Sequence, residues 1–196
     1  MASTMSWLNQ NYPNGVLNSN MNILGTHDTA RILTVLGGGS LPGDREDMSC
    51  FHLDAQQRYE GVWRLKIASA LQFTLPGTPC VYYGDEAGME GCSDPFNRAC
   101  YPWEREDGEI YGWFRTIARI RRSLPAFHSG DYKLVRAREG VLIFTRGEGE
   151  GKAVIAANIT NEPYTLPLRG PMLDRISGDY HWEPTIPARG VVILTV

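Results

Sequence analysis

Long apolar runs are missing from this chain. No stretch approaches the roughly 20 residues that a membrane-spanning helix needs, and the N-terminus lacks a basic patch followed by an apolar segment. The first absence excludes a membrane-spanning helix, so no membrane partner is expected, and the second gives no export signal, so a cytoplasmic location is expected. An excess of positive charge is also missing. The 19 Lys and Arg stand against 22 Asp and Glu for a net charge of -3, which leaves no basic field to attract a phosphate backbone, so nucleic acid is not an expected partner. Cysteine is sparse. Cys50, Cys80, Cys92 and Cys100 form no CxxC pair and no metal-type spacing with His27, His52, His128 or His181. Reduced thiols are the expectation, with a Cys92 to Cys100 bridge left open, and no metal site is read from these residues. No internal repeat is present.

What is present changes character along the chain. Up to about Ala126, short apolar runs alternate with longer helical patterns, which is how a parallel sheet with crossover helices reads. Met21 to Gly25 and Pro79 to Tyr83 read as buried strands, the first stopping at Thr26, His27 and Asp28, the second at Gly84, Asp85 and Glu86. Between them, Asp54 to Leu75 places Trp63, Ile67, Ala68, Ala70 and Leu71 near a helical stripe that Pro76-Gly77 ends. A second helix spans Glu109 to Ser123, with Ile110, Trp113, Phe114, Ile117 and Ile120 at helical spacing before Pro125. The Gly-, Ser- and Asp-rich stretch from Leu36 to Phe51 has no periodicity and reads as a long loop. After Ser129-Gly130, short runs of β-formers alternate with turns. Tyr132 to Ala137, Val141 to Arg146, Ala153 to Ile159, Tyr164 to Leu168 and Val191 to Val196 suit the antiparallel strands of a small β-sandwich. The expected class is therefore α/β followed by all-β, with domains at 1–126 and 127–196.

Several side chains are placed for chemistry. His27 and Asp28 follow a strand, and ligands of parallel α/β folds collect outside the carboxyl ends of strands; Asp28 as a local cap and His27 as a packed ring is the alternative. Asp85 and Glu86 share that placement, with a solvated strand end or a salt bridge as the other reading. Asp94 and Arg98 could hold adjacent sugar hydroxyls or simply pair with each other. Tyr82, Tyr83, Tyr101 and Trp103 could offer flat faces to a sugar ring or serve as core.

Three ordered segments carry a resemblance. Asn22-Ile-Leu-Gly-Thr-His-Asp-Thr-Ala-Arg31 resembles the fourth signature region of the alpha-amylase family, glycoside hydrolase family thirteen, at the end of its seventh barrel strand. Gly77-Thr-Pro-Cys-Val-Tyr-Tyr-Gly-Asp-Glu86 resembles its eighth strand, and Asp94-Pro-Phe-Asn-Arg98 resembles the sugar-holding loop that follows. Tyr101-Pro-Trp103 points to the neopullulanase, cyclomaltodextrinase and maltogenic-amylase branch, while Thr26 and Ala30 depart from the family's frequent choices.

The resemblance implies the last two units of a TIM (β/α)8 barrel, strands seven and eight, followed by the β-sandwich called domain C. It implies that Asp28 is the ionised third catalytic carboxylate, assisted by His27, with Asp94, Arg98 and Tyr83 binding substrate. The implied reaction is retaining cleavage of α-1,4, and in some relatives α-1,6, glucosidic bonds of maltooligosaccharides or starch-type glucans. Such cleavage needs two carboxyls about 5 Å apart, a nucleophile and a proton donor. The family carries these on its fourth and fifth strands, and the stretch before Asn22 is too short to hold them, so the chain alone is expected to be inactive. A separate N-terminal barrel half, or self-association through open barrel edges, is the expected partner. The rival expectation is a non-catalytic glucan-binding or self-assembling module. No cofactor is expected; family members often hold calcium, but no run of oxygen ligands here has a recognisable loop pattern.

Overall fold

The structure, a computed structural model, describes residues 2–39, 41–128, 131–168 and 170–196. Ser129 and Gly130, where the character of the sequence changes, lie outside the described residues, as do Ser40 and Arg169 of the expected loop and turn. Packing divides the chain into two compact units that interleave along the sequence: Met1–Asn22, Ala70–Thr78 and Thr116–Val196 form the first, Ile23–Ser69 and Pro79–Arg115 the second.

The first unit is built on antiparallel strands. β3 (Tyr132–Arg138), β4 (Val141–Arg146), β5 (Ala153–Asn158), β7 (Met172–Asp174), β8 (Tyr180–His181) and β10 (Gly190–Thr195) form a six-stranded sheet in the order β3-β4-β5-β10-β7-β8. β6 (Tyr164–Thr165) and β9 (Thr185–Ile186) form a two-stranded ribbon. Residues of one strand alternate between the sheet's faces, and two apolar clusters follow that period. Val141, Ile143, Val154, Ala156, Val192 and Leu194 share one cluster with Leu166 and Ile186 near the ribbon. Phe144, Ala153, Ile155 and Ile193 share the other with Ile120, Phe127, Leu71 and Leu75. Since both faces are covered, the central strands are apolar throughout rather than alternating. β7, β8 and β9 went unread in sequence because each is two or three residues long, too short to show a period.

Helices α1 (Ala2–Asn11) and α2 (Asn14–Ser19) open the chain. The expected strands are shorter than read: β1 is Met21–Ile23 and β2 is Thr78–Cys80, paired as a two-stranded sheet with Thr78 N–H donating to the Asn20 carbonyl at 2.7 Å. They are also not buried, for Met21, Ile23 and Thr78 are exposed. No third strand pairs with them among the described residues.

In the second unit, α3 (Ile32–Gly37) packs close to α5 (Ala55–Thr74), where a Cβ on Gly61 would stand 3.0 Å from the Leu33 side chain. The stretch expected to be a structureless loop contains α4 (Arg45–Cys50), whose Asp44 cap accepts the Asp47 N–H at 2.9 Å. No residue of α4 is buried, so it shows no apolar period. α6 (Gly108–Ser123) has Asp107 as its cap, accepting the Glu109 and Ile110 N–H groups at 3.0 Å each. No described helix is long and apolar enough to cross a membrane.

Candidate functional site

Residues 24–31 leave β1 and turn. The turn is tied locally by threonines: the Asp28 N–H donates to Thr26 Oγ1 at 3.2 Å, and the Thr29 N–H to the Thr26 carbonyl at 3.4 Å. His27 and Asp28 project from it with 64% and 73% of their side chains exposed, His27 Nε2 standing 3.2 Å from Asp28 Oδ1. The His27 ring is therefore not a packed one. The carboxylate keeps lone pairs open to an incoming hydroxyl, and the ring beside it can donate when protonated there.

The second strand leads into a tighter turn. Gly84 has φ +87°, a conformation open to glycine, and a Cβ there would meet Met89 Sδ at 2.2 Å. This turn folds Asp85 inward to 3% exposure. Gly25 allows it, since a Cβ at that position would lie 2.5 Å from Asp85 Oδ2. Burial pushes the Asp85 carboxyl up to about 6; Arg31 holds it back, and the neighbouring Glu86 adds to the rise. Arg31 itself is buried, 3.4 Å from Asp85 Oδ1, donating to the Tyr83 carbonyl. Its guanidinium carbon lies 4.4 Å from the Tyr82 ring centroid and 4.6 Å from that of Tyr83. Of the two readings left open for Asp85, the salt bridge is the one present. Glu86 is half-buried, with Oε2 lacking a hydrogen-bond partner among the described residues.

Tyr83 is 40% exposed, its hydroxyl donates to the Ala99 carbonyl at 2.9 Å, and its ring, which packs against Arg31 and Tyr82, keeps part of its surface open to solvent. Asp94 and Arg98 form an ion pair, Arg98 Nε to Asp94 Oδ1 at 2.6 Å, with both side chains about half exposed. The loop between them includes Asn97, fully buried, whose Nδ2 donates to the carbonyls of His27 and Thr29 at 2.7 Å each. Asn97 is what brings two of the sequence-read segments together. Nothing in the spacing of Asp94-Pro-Phe-Asn-Arg98 marks it, because its acceptors lie 70 and 68 residues away. Arg31 had a faint signal, a cation within the otherwise apolar run from Ala30 to Leu33.

The four cysteines are free thiols, Cys92 buried and Cys100 exposed. Among the described residues, no group of three or more His, Cys, Asp or Glu could hold a metal ion.

The profile of the alpha amylase catalytic domain matches residues 2–117. An amylopullulanase of Thermoanaerobacter thermohydrosulfuricus is 40% identical over 143 residues, covering 73% of this chain and 9% of that protein. A cyclomaltodextrinase of Geobacillus thermopakistaniensis is 32% identical over 161 residues, covering 80% of this chain and 24% of that one. The solved type III pullulan hydrolase from Thermococcus kodakarensis is similar over 94% of this chain and 30% of its own length, with TM-score 0.74 and 30% identity. The chain therefore spans a quarter or less of the two curated relatives named here.

Proposed function

Because this chain belongs to the alpha-amylase family of glycoside hydrolases, in its neopullulanase-like branch, we propose that it forms the C-terminal part of a retaining α-glucan hydrolase. In this reading, residues 1–126 supply strands seven and eight of the catalytic barrel and residues 127–196 are domain C. The whole protein acts on α-1,4, or α-1,6, glucosidic bonds of starch-derived oligosaccharides.

Asp28 stays ionised and accepts hydrogen bonds from the hydroxyls of the sugar under attack. The transition state has oxocarbenium character, so a fixed anion stabilises it more than the relaxed substrate, and that difference lowers the barrier. His27, 3.2 Å away, assists by orienting the carboxylate and contacting the same sugar. Asp94 and Arg98 hold the next sugar outward with charge-assisted bonds, and the solvent-facing part of the Tyr83 ring offers an apolar surface. The carrying observation is that His27 and Asp28 stand exposed on a turn whose backbone is pinned by buried Asn97.

The nucleophile and the acid/base belong to strands outside these 196 residues. Asp85 is a poor stand-in, being 3% exposed and paired with Arg31. The chain alone is accordingly inactive. The test mixes it with a polypeptide carrying the first six barrel strands and follows maltooligosaccharide cleavage. Activity is expected only from the mixture, and Asp28→Ala is expected to lower the restored kcat by about 10²–10³-fold. Undiminished activity of that variant would remove Asp28 from the reaction.

A further inference from the structure

Asn97 uses both hydrogens of its amide nitrogen on one target, the backbone that carries Asp28. The acceptors are the carbonyls of His27, just before Asp28, and Thr29, just after it, each at 2.7 Å. Asp28 is thus bracketed by two short bonds from a single buried side chain. The local ties of the turn are longer, 3.2 to 3.4 Å. Asn97 Oδ1, meanwhile, is buried without a hydrogen-bond partner among the described residues. An apolar side chain of similar size would fill the same space with no unsatisfied oxygen, so packing does not account for the amide; its two donors do.

The backbone behind Asn97 is held as well. A Cβ on Gly91 would stand 2.5 Å from the Phe96 carbonyl oxygen and 3.1 Å from Asn97 Cα. Gly91 is itself fixed, its N–H donating to Thr34 Oγ1 at 2.9 Å and its carbonyl accepting from the Arg31 N–H at 3.0 Å. A firmly seated amide therefore reaches to the turn, not a loose one.

We propose that Asn97 is a positioning residue that sets Asp28 in register with the Asp94–Arg98 loop, so that the sugar facing Asp28 and the next one outward are aligned through one buried amide. The inference rests on the reading of Asp28 and of this loop given above, and its test is separable from it.

Nitrogen-15 relaxation of the 196-residue chain reads the effect directly. In the parent chain the amides of residues 27–29 are expected to have order parameters near the rigid value of about 0.85. In Asn97→Ala they should fall below about 0.6, while the amides of β4 and β5 keep theirs. Asn97→Asp, which keeps the size and turns a second oxygen on the two carbonyls, should loosen the same amides; Gly91→Ala, which pushes Phe96 and Asn97 forward, should do so too. These two variants decide the matter if Asn97→Ala does not fold. In the reconstituted barrel, Asn97→Ala should lower kcat by up to about 10²-fold with KM little changed, as misplacement of a transition-state group does. A folded variant whose residues 27–29 remain rigid overturns the positioning role. Full activity of Asp28→Ala in the same barrel overturns the underlying reading instead, whatever the amides of Asn97→Ala show.

Discussion

Arg31 and Asp85 show how one buried pair divides its work. The cation lies against two tyrosine rings and a carbonyl as well as the anion, and burial of the anion outweighs that pairing and pushes its carboxyl up to about 6. A carboxyl raised above its unfolded value near 3.9 binds more protons in the folded state than in the unfolded one. Its contribution is then fullest below about pH 4 and is lost as pH rises through 6. Ionising Asp85 should lower stability by about 3 kcal/mol over that window, two pH decades at 1.36 kcal/mol each. Asp85→Asn mimics the protonated form, so the difference in unfolding free energy between variant and parent should move in the variant's favour as pH rises from 4 to 6. Urea titrations at those two pH values check this, and a constant difference would show that Arg31 neutralises Asp85 fully. At this scale the sequence was informative about Asp28, Asp94, Arg98 and Tyr83 as side chains worth watching, and each stands with a surface open to solvent. The partners of Asp85 and Asn97 were hidden, because neither is near in sequence.

α5 illustrates how an element is held at both ends by different means. At its start, Asp54 Oδ1 accepts the Gln57 N–H at 2.8 Å while Gln57 Oε1 accepts the Asp54 N–H at 3.0 Å, a reciprocal box. Asp54→Ala should cost about 1 kcal/mol, read as a lower urea midpoint with an unchanged slope. At its end, long side chains of the same compact unit serve the carbonyls that the helix leaves unpaired. Asn22 Nδ2 donates to the Gln72 and Pro76 carbonyls at 3.1 Å each, and Arg121 to those of Phe73 and Gly77 at 2.6 Å each. Arg146, buried on β4, donates to the carbonyls of Thr74, Asp131 and Phe127. Burial, with Arg121 close by, lowers its guanidinium to about 10, so it is still charged at neutral pH and suits the negative end of a helix. Arg146→Met should therefore cost more than the cap, at least about 2 kcal/mol, because the carbonyls it abandons are away from water. An equal or smaller loss than for Asp54→Ala in the same urea titration would contradict this ordering. The long helices and the central strands were legible within a residue or so, since amphipathic period and β-former runs are local. α1 to α4 were not, for α2, α3 and α4 are six residues each, too short to show a helical period, and none of the described residues of α1 is fully buried.

At the scale of the whole molecule, the two compact units draw on interleaved segments, with α5 and α6 each contributing residues to both. One expected outcome belongs here: the 196-residue chain, folded and monodisperse, should release no reducing sugar from maltohexaose by itself, and should do so once the first six barrel strands are supplied. Cleavage by the chain alone would mean that a carboxylate pair has been overlooked. Composition, period and the three ordered motifs determined, by themselves, the family, the order of helical and β-rich regions and the identity of the side chains at the turn after β1. Those features are written in residues a few positions apart. Only the tertiary structure decided that Asp28 faces solvent while Asp85 is folded inward, and that Asn97 pins the turn from 70 residues away. The physical reason is that such contacts depend on where the backbone returns, and close approaches such as Gly25 to Asp85 and Gly91 to Phe96 are set by packing in space and not by spacing along the chain.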